Sequence, residues 1–367
     1  MRILLFGTYD RERHPRVEVL REGLEAKGDL TGECNVPLGL DTAERIRLLR
    51  RPLLLPRLAV SVGRQWYLLL RRARRTRRPD LVLVGYMGHF DIHLAKRLWR
   101  HTPVALDHLI SAKDTAEDRG SSSAILLRLL SCLDRSALNA ADVVLVDTEE
   151  HLALLPERSR DKTLVVSVGA PLAWFKPPVP DSRPRLKVVF FGLYTPLQGA
   201  PTIGKAIAQL SGEPIDFTMV GAGQDLEKTR AEVGDNRMVR WYDWVGHDAL
   251  IELVQDHDVC LGIFGTTPKA RRVVPNKVFQ GAAAGCAIVT SNTPPQRRAL
   301  GPAGIFVPTG DPGALAAALQ ALAEEPYHLM RSREMAYERA SQAFRPEIVV
   351  EPLRRWLALD QARTRSS

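Results

Sequence analysis

Four basic side chains precede an apolar, alanine-rich segment in the C-terminal half of the chain. The stretch PKARRVVPNKVFQGAAAG, residues 268–285, contains no acidic residue, and its cations are Lys269, Arg271, Arg272 and Lys277. An apolar helix beginning near Asn276 would add backbone N–H groups and the positive end of its dipole. Arginine grips phosphate through two parallel hydrogen bonds. We therefore predict that this segment, with Asn276 at the helix start, binds an anionic group such as a phosphate.

A second group of polar side chains follows predicted strands in the N-terminal half. Asp107 and His108 end one such strand, and we interpret them as contacts to an acceptor or to a transferred group. The alternative is an Asx turn beside an exposed histidine. Further candidate acceptor contacts are Asp10, His14, Arg16, His89 and Asp114. The alternative for the first three of these is a solvated turn, and for Asp114 it is a carboxylate that caps a helix.

Short apolar strands that alternate with amphipathic helices must position these side chains. We predict strands at 2–7, 79–85, 102–111, 142–148, 186–192, 215–221, 258–265 and 286–293. Apolar strands separated by helices indicate parallel sheets covered on both faces. The pattern restarts after a proline-rich stretch, so the predicted fold class is α/β, with two Rossmann-like domains facing a cleft. Ligands of such sheets bind beyond the carboxyl ends of the strands, which makes the cleft the predicted active site.

The domain boundaries follow from the same pattern. We predict an N-terminal domain over 1–176, a linker over 177–185, a C-terminal domain over 186–345 and a final segment over 346–367.

Glycine turns follow three of the predicted strands. Gly7 follows the first strand, Gly192 follows the first strand of the second domain, and Gly221 opens the turn GAGQD. We predict that Gly7, Gly192 and Gly221 let the backbone approach a ligand. The alternative for Gly221 is a tight strand-to-helix turn. The fingerprint Gly-x-Gly-x-x-Gly follows neither first strand, which argues against a nicotinamide or flavin enzyme.

Composition excludes several other classes of protein. Apolar residues make up 45% of the chain, as in folded globular proteins. The four cysteines have no Cys-x-x-Cys or zinc-like spacing, so we expect reduced, mostly buried thiols. No apolar run approaches the roughly 18–20 residues of a membrane span, and the N-terminus is typical of a strand rather than a signal peptide. We expect a cytoplasmic protein.

The positive charge is concentrated in one segment. Residues 45–78 contain 12 arginines and no acidic residue, whereas the whole chain has a net charge of +9. One interpretation is a surface helix whose apolar face lies in the core and whose arginines point outward. The others are contact with an anionic membrane surface at the inner face of the membrane, or with an anionic acceptor. We expect no nucleic-acid partner, since no known recognition module is present.

Five segments of the second half occur in an order typical of one enzyme family. They are VVFFGLYTPLQGAPTIGKAIAQL, FTMVGAGQD, VRWYDWVGHDALIELVQDHDVCLGIFG, VVPNKVFQGAAAGCAIVTSNTPPQRRAL and GIFVPTGDPGALAAAL. Together they resemble the donor-binding domain of GT-B glycosyltransferases of family 4. The resemblance implies that 186–345 binds the donor, that 1–176 binds the acceptor and that a helix in 346–367 returns to the first domain. The N-terminal half is similar more loosely, through GTYDRERHPR, VALDHLISAKDTAEDRG and ADVVLVDT.

The resemblance implies transfer of a sugar from a nucleoside-diphosphate donor to a hydroxyl or amine, with retention and without a metal ion or other cofactor. No Asp-x-Asp motif is present to hold a metal diphosphate, which agrees with this. The resemblance places the base beside Trp244 and Val245 and the ribose beside Gln280. With such a donor, Gly192 and Gly221 would approach the nucleoside, and Gly7 and the cations of 268–285 would approach the diphosphate. The alternative interpretation of Trp244 is that it packs in the core.

The sequence departs from the common family pattern at the phosphate site. The resemblance implies an arginine and a lysine where Leu193 and Gln198 stand, and two glutamates where Arg272 and Gln280 stand. The histidine expected after a strand of the first domain aligns near Asp107. We interpret the cations of 268–285 as replacements for the missing pair, and Gln280 can still hydrogen-bond a ribose diol. The alternative is a site that binds without catalysis.

The predicted function is therefore a bacterial glycosyltransferase that acts on a small natural product or on a nucleoside-like or aminocyclitol-like acceptor. A membrane-associated transferase for a cell-envelope lipid or polysaccharide is the first alternative. A sugar-nucleotide epimerase and a non-catalytic nucleotide-sugar binding protein are the others.

Overall fold

The computed structural model describes residues 1–11, 14–39, 55–109, 111–180 and 184–366, and it divides into two compact units. Unit 1 comprises Met1–Ser167 and Val349–Ser367, and unit 2 comprises Val168–Ile348. Each unit contains one six-stranded sheet in which all paired strands are parallel.

The sheet of unit 1 has the strand order β2-β1-β3-β4-β5-β6. Its strands are β1 (Ile3–Gly7), β2 (Leu30–Asn35), β3 (Leu81–Val84), β4 (Val104–Asp107), β5 (Val143–Val146) and β6 (Thr163–Val165). Its helices are α1 (Pro15–Ala26), α2 (Leu55–Ala73), α3 (Asp91–Leu98), α4 (Ala112–Asp118), α5 (Ala124–Ala140), α6 (Glu149–Leu154) and α7 (Glu157–Arg160). The strands predicted from continuous apolar runs are confirmed, because helices cover both faces of the central strands and bury every residue in them.

The sheet of unit 2 has the strand order β12-β11-β10-β7-β8-β9. Its strands are β7 (Leu186–Phe191), β8 (Ile215–Val220), β9 (Val239–Tyr242), β10 (Val259–Leu261), β11 (Ala287–Ser291) and β12 (Gly304–Val307). Its helices are α8 (Ala200–Gln209), α9 (Leu226–Val233), α10 (His247–Gln255), α11 (Asn276–Ala283), α12 (Pro294–Leu300), α13 (Pro312–Glu324) and α14 (Pro326–Ala343), with 3₁₀ turns at Leu172–Trp174 and Gly301–Ala303.

The chain passes from unit 1 to unit 2 before the predicted linker 177–185. Trp174 is buried and stacks on Phe191, with ring centroids 5.7 Å apart. Lys176 also donates its backbone N–H to the Ala283 carbonyl at 2.9 Å. The predicted boundary at residue 176 is therefore corrected to Ser167, because the segment that precedes the prolines packs within unit 2.

The end of the chain belongs to unit 1. After the short α15 (Pro346–Val349), α16 (Glu351–Ser366) places Leu353 and Leu357 against Ile3 and Leu5 in one buried cluster. The predicted C-terminal helix of the first domain is thus present, and it completes the core on one face of the sheet.

Of the basic segment 45–78, residues 45–54 lie outside the described part of the chain. In α2, Leu69 is fully buried and Trp66 packs against the same core cluster. Arg71 and Arg74 are exposed, and Tyr67 is 60% exposed. This arrangement fits the surface-helix interpretation, whereas contact with a membrane stays a prediction. Within the described ranges, none of the helices combines the length and the apolarity needed to cross a membrane.

Candidate active site

In unit 2, the loops at the carboxyl ends of β7, β8 and β10 pack closely against one another, and glycine residues make this close packing possible. Gly221 has a φ of +122°, and an ideal Cβ placed on it would lie 1.9 Å from the Gly192 carbonyl oxygen. A Cβ on Gly265 would lie 2.4 Å from the Leu197 carbonyl oxygen. A side chain at either position would push two loops apart. Gly192 and Gly221 therefore serve first to bring backbone against backbone at this edge of the sheet.

The basic stretch 268–285 forms a loop after β10 and then α11, which begins at Asn276 as predicted. Because the loop follows β10, it lies at the same carboxyl edge of the sheet as the glycine turns. The side chain of Arg271 is exposed, whereas those of Lys269, Arg272 and Asn276 are half-buried. The cations of the loop thus differ in solvent exposure, and they lie just before the first turn of α11 in the chain.

Lys277 turns from α11 toward the loop that follows β7. Its Nζ donates to Gln198 Oε1 at 2.6 Å and lies 3.7 Å from the centroid of the Phe190 ring. An ideal Cβ on Gly192 would lie 3.3 Å from the same nitrogen. Lys277 is only 4% exposed, and burial lowers its pKa to about 7. Lys277 thus brings an amine from α11 to the loop after β7, whereas its replacement of the missing phosphate contacts stays a prediction.

The predicted nucleoside contacts lie on different elements of unit 2. Gln280 is buried on α11, one turn after Lys277. Trp244 and Val245 lie between β9 and α10, where Val245 is half-buried and the indole of Trp244 is 82% exposed. A packing role for Trp244 is therefore wrong, and it is Trp241 that packs against the core.

Asp107 and Arg16 form a buried ion pair in unit 1. Arg16 Nε donates to Asp107 Oδ1 at 2.8 Å, and Arg16 Nη1 donates to the carbonyls of Val166 and Ser167 at 2.9 and 2.8 Å. Arg16 is 1% exposed and has a structural role in this ion pair, while its Nη2 is without a hydrogen-bond partner in the described part of the chain, so its contact with an acceptor stays a prediction. Burial raises the pKa of Asp107, and Arg16 offsets part of this effect. Asp107 Oδ2 has no hydrogen-bond partner among the described residues.

His108 and His89 lie ring against ring beyond the end of β4. Their ring centroids are 5.4 Å apart with planes at 68°, and both side chains are buried, so the alternative of an exposed histidine is wrong. Burial, together with the neighbouring His89, lowers the pKa of His108 to about 3. His108 is therefore a neutral imidazole at pH 7. Its Nδ1 is buried and has no partner in the described part of the chain, which leaves it able to hydrogen-bond a ligand hydroxyl.

The loop after β1 is tied to α3 by Asp91. Its Oδ2 accepts from the backbone N–H and the hydroxyl of Thr8 at 2.7 and 2.8 Å, and Trp66 Nε1 donates to Oδ1 at 2.9 Å. An ideal Cβ on Gly7 would lie 3.2 Å from Asp91 Oδ2. Packing within unit 1 thus explains the glycine, and contact of Gly7 with a diphosphate stays a prediction.

The remaining predicted acceptor contacts are half-buried. Asp10 and His14 lie near the end of β1, and the His14 ring is 4.0 Å from the Tyr86 ring. Asp114 lies in the first turn of α4, where its backbone N–H donates to Ser111 Oγ at 3.1 Å. A carboxylate in the first turn of a helix interacts favourably with the positive end of the helix dipole, so the position of Asp114 fits the capping interpretation.

Solved structures match nearly the whole chain. HepE of Anabaena in complex with UDP matches with a TM-score of 0.66 at 14% identity, covering 98% of this chain and 100% of that chain. Sucrose-phosphate synthase from Thermosynechococcus elongatus matches with 0.72 at 16%, covering 99% and 100%. A glycosyltransferase from Rickettsia africae matches with 0.62 at 13%, covering 97% of each. This likeness confirms the predicted GT-B fold with two Rossmann-like domains.

The family model for glycosyl transferases group 1 matches residues 185–325, the range that holds the glycine turns, the basic loop and α11. The chain is a glycosyltransferase. No curated protein sequence matches it significantly. The predicted enzyme class is confirmed, whereas membership of family 4 and retention at the anomeric carbon stay predictions.

The glycosyltransferase brings some of its predicted site residues together within each unit. In unit 2, Lys277 meets the Gly192 turn, which in turn contacts Gly221. In unit 1, Asp107 and His108 lie at the end of β4, and His89 lies against His108. Among the residues that the structure describes, no three His, Cys, Asp or Glu side chains are grouped so as to hold a metal ion.

Asp134 completes the polar cluster of the glycosyltransferase in unit 1, although the sequence did not reveal it. Its carboxylate lies 3.0 Å from His89 Nε2 and accepts from Ser111 Oγ, Ala112 N and Lys113 N at 2.8, 2.9 and 3.1 Å. Burial alone would raise the pKa of Asp134, but His89 and the other donors outweigh burial and lower it to about 2. Asp134 therefore links two parts of unit 1, the loop that contains His89 and the start of α4.

Replacing Asp134 by alanine should lower the free energy of unfolding by about 1–3 kcal/mol, because buried donors at the start of α4 lose their acceptor. Asp134 is more acidic when folded, so its contribution is present above pH 4 and disappears as the pH falls from 4 toward 2. Urea unfolding at pH 7 and pH 3 measures both effects. Glu117→Ala, which removes an exposed carboxylate from α4, is the control and should change stability by less than about 0.5 kcal/mol.

Proposed function

We propose that the protein transfers a sugar from a nucleoside-diphosphate donor to a hydroxyl or amine acceptor, without a metal ion. The observation that carries the proposal is the meeting of the buried Lys277 ammonium with the loop after β7, beside the first turn of α11. A buried cation and a helix N-terminus both attract a phosphate group. Uridine diphosphate is the first nucleotide to test, since HepE was solved in complex with UDP.

Unit 2 supplies the groups for the donor. Lys277 and Arg271 bind the diphosphate, with Lys269 and Arg272 adding positive charge around it. Gln280 hydrogen-bonds the ribose, and the segment that contains Trp244 receives the base. The bond between the anomeric carbon and the diphosphate oxygen breaks with its electron pair on that oxygen. The cations stabilise the negative charge that develops there.

Unit 1 supplies the groups for the acceptor. His108 Nδ1 and Asp107 Oδ2 are buried polar atoms without partners among the described residues, so they suit a ligand rich in hydroxyl groups better than an acyl chain. The acceptor oxygen or nitrogen forms the new bond to the anomeric carbon, and its proton passes to the departing diphosphate. We propose a small polar natural product as acceptor, and retention of configuration on the strength of the family resemblance.

The donor assignment is tested by thermal unfolding in the presence of a panel of nucleoside-diphosphate sugars. A donor held at 100 times its Kd should stabilise the folded protein by about 2.7 kcal/mol and raise Tm by several degrees. An unchanged Tm with every nucleotide would rule out the donor site. Product formation with a panel of acceptors then separates transfer from binding alone.

Replacing both Arg271 and Arg272 by alanine should weaken binding of the nucleotide sugar at least tenfold, because charge-assisted hydrogen bonds to the phosphates are lost. Binding of the unphosphorylated nucleoside should stay unchanged. Calorimetric titration measures both ligands. Arg237→Ala, an exposed arginine elsewhere in unit 2, is the control. Equal losses for nucleoside and nucleotide sugar would contradict the phosphate role.

A further inference from the structure

Lys277 is a buried amine, and its contacts with the described residues of unit 2 include no carboxylate. Its Nζ contacts the Gln198 side-chain oxygen and the face of the Phe190 ring, and both are neutral groups. A single amide oxygen and a ring face replace only part of the hydration that an ammonium group has in water. The charge therefore lacks a full counter-charge until an anion arrives.

The groups that face Lys277 are neutral or bound elsewhere, so burial and a bound ligand determine whether its amine is protonated. From β10, Cys260 faces it, and burial raises the pKa of that thiol to about 12, so it stays neutral up to pH 9. From β7, Phe190 presents only its ring. From α14, Arg333 binds Asp258 and the Gly285 carbonyl instead, away from the first turn of α11. No carboxylate is among the causes that shift the pKa of Lys277 in the described chain.

The geometry at Gly192 gives an incoming anion a place beside this amine. A Cβ on Gly192 would come within 3.3 Å of Lys277 Nζ, so the missing side chain leaves the amine next to the open backbone of the turn. The turn ends β7 at the carboxyl edge of the sheet, the edge at which ligands of parallel sheets bind. A phosphate group at this turn would meet the amine directly.

We propose that donor binding and protonation of Lys277 are one coupled event, in which the amine takes up a proton from solvent as the donor's diphosphate docks at the Gly192 turn. This inference rests on the proposed function, since it assigns the proton to the same donor site. The amine carries the proton in the complex because the diphosphate supplies the counter-charge that unit 2 lacks.

The sign of the pH dependence follows from the direction of the shift. Without donor, burial lowers the pKa of Lys277 to about 7, and bound diphosphate raises it again. Above pH 7 the free protein must therefore gain a proton in order to bind. Donor affinity should fall by up to about tenfold per pH unit above pH 7. At pH 8.5, the protein should take up about one proton for each donor molecule that binds.

The probe is UDP-glucose, because both of its phosphates are singly ionised and do not titrate between pH 6.5 and 8.5, a range that also stays below the ionisation of the uracil N3–H. Isothermal titration calorimetry across this range gives Kd, and buffers of different ionisation enthalpy give the number of protons taken up. Uridine is the matched ligand without phosphate, and its affinity should not change with pH.

Two variants assign the proton to Lys277. Lys277→Arg keeps a permanent charge, so it should bind UDP-glucose with no pH dependence above pH 7 and no proton uptake. Gln198→Glu gives the amine a permanent counter-charge, so the same proton uptake should disappear and binding should weaken. Gln209→Glu, on the far end of α8, is the control and should keep the behaviour of the unchanged protein.

Each outcome decides between the proposals. Failure of every nucleotide sugar to bind overturns both the donor site and this inference. Tight binding of UDP-glucose with a flat pH profile and no proton uptake overturns this inference alone. A pH dependence that survives in both Lys277→Arg and Gln198→Glu assigns the proton elsewhere and overturns it as well.

Discussion

Replacing Arg16 by methionine should lower the free energy of unfolding by about 3–5 kcal/mol. The guanidinium bonds Asp107 and the two carbonyls of Val166 and Ser167 inside unit 1. Methionine has a similar volume but no charge, so the carboxylate stays buried without its partner and the carbonyls lose their donor. Urea unfolding at pH 7 measures the loss.

The double replacement Arg16→Met with Asp107→Leu should recover most of this stability, because it leaves neither charge buried alone. Arg11→Met is the surface control, since Arg11 is half exposed in its pairs with Glu18 and Glu33, and it should cost less than about 1 kcal/mol. Equal destabilisation of the single and double variants would show that the ion pair is not what the substitution breaks.

Replacing Gly221 by alanine should cost more than about 2 kcal/mol of stability and abolish nucleotide-sugar binding. The added methyl group would lie 1.9 Å from the Gly192 carbonyl oxygen, and alanine disfavours a φ of +122°. The loops after β7 and β8 would have to separate, which moves the Gly192 turn away from Lys277. Thermal unfolding with and without UDP-glucose measures both effects.

Gly313→Ala is the matched control for this prediction. Gly313 lies in the first turn of α13 in unit 2, and an ideal Cβ on it meets nothing closer than 3.5 Å, which is ordinary van der Waals contact. We expect a change of less than about 1 kcal/mol and unchanged donor binding. Donor binding that persists in Gly221→Ala would show that the interlocked loops do not form the donor site.

The buried central strands were predictable because a strand covered on both faces is a continuous apolar run. The predicted strand 102–111 shortens to Val104–Asp107, since the residues beyond it form the polar end of the sheet. The edge strands β2, β6, β9 and β12 were not among the predicted strands. β2 alternates in burial and includes Thr31, Gly32 and Glu33, a pattern that a loop shares.

The site was predictable where it depends on local chemistry. The cations followed by Pro275 and an apolar run were enough to place the start of α11. The direction of Lys277 was not predictable, because it depends on the approach of the β7 loop, which is distant in sequence. Asp134 was missed for the same reason, since a carboxylate in an amphipathic helix is usually solvated and its partners lie on two other loops.

The return of the chain to unit 1 has a consequence for folding during synthesis. Unit 2 is one continuous segment, Val168–Ile348, whereas the core of unit 1 includes Val350, Leu353 and Leu357, which follow unit 2 in the chain. During synthesis, one face of the sheet that contains β1 therefore stays uncovered until the whole of unit 2 and α16 have been translated. The domain translated first is the one that finishes folding last, and the nascent chain must keep that apolar face from aggregating until α16 arrives.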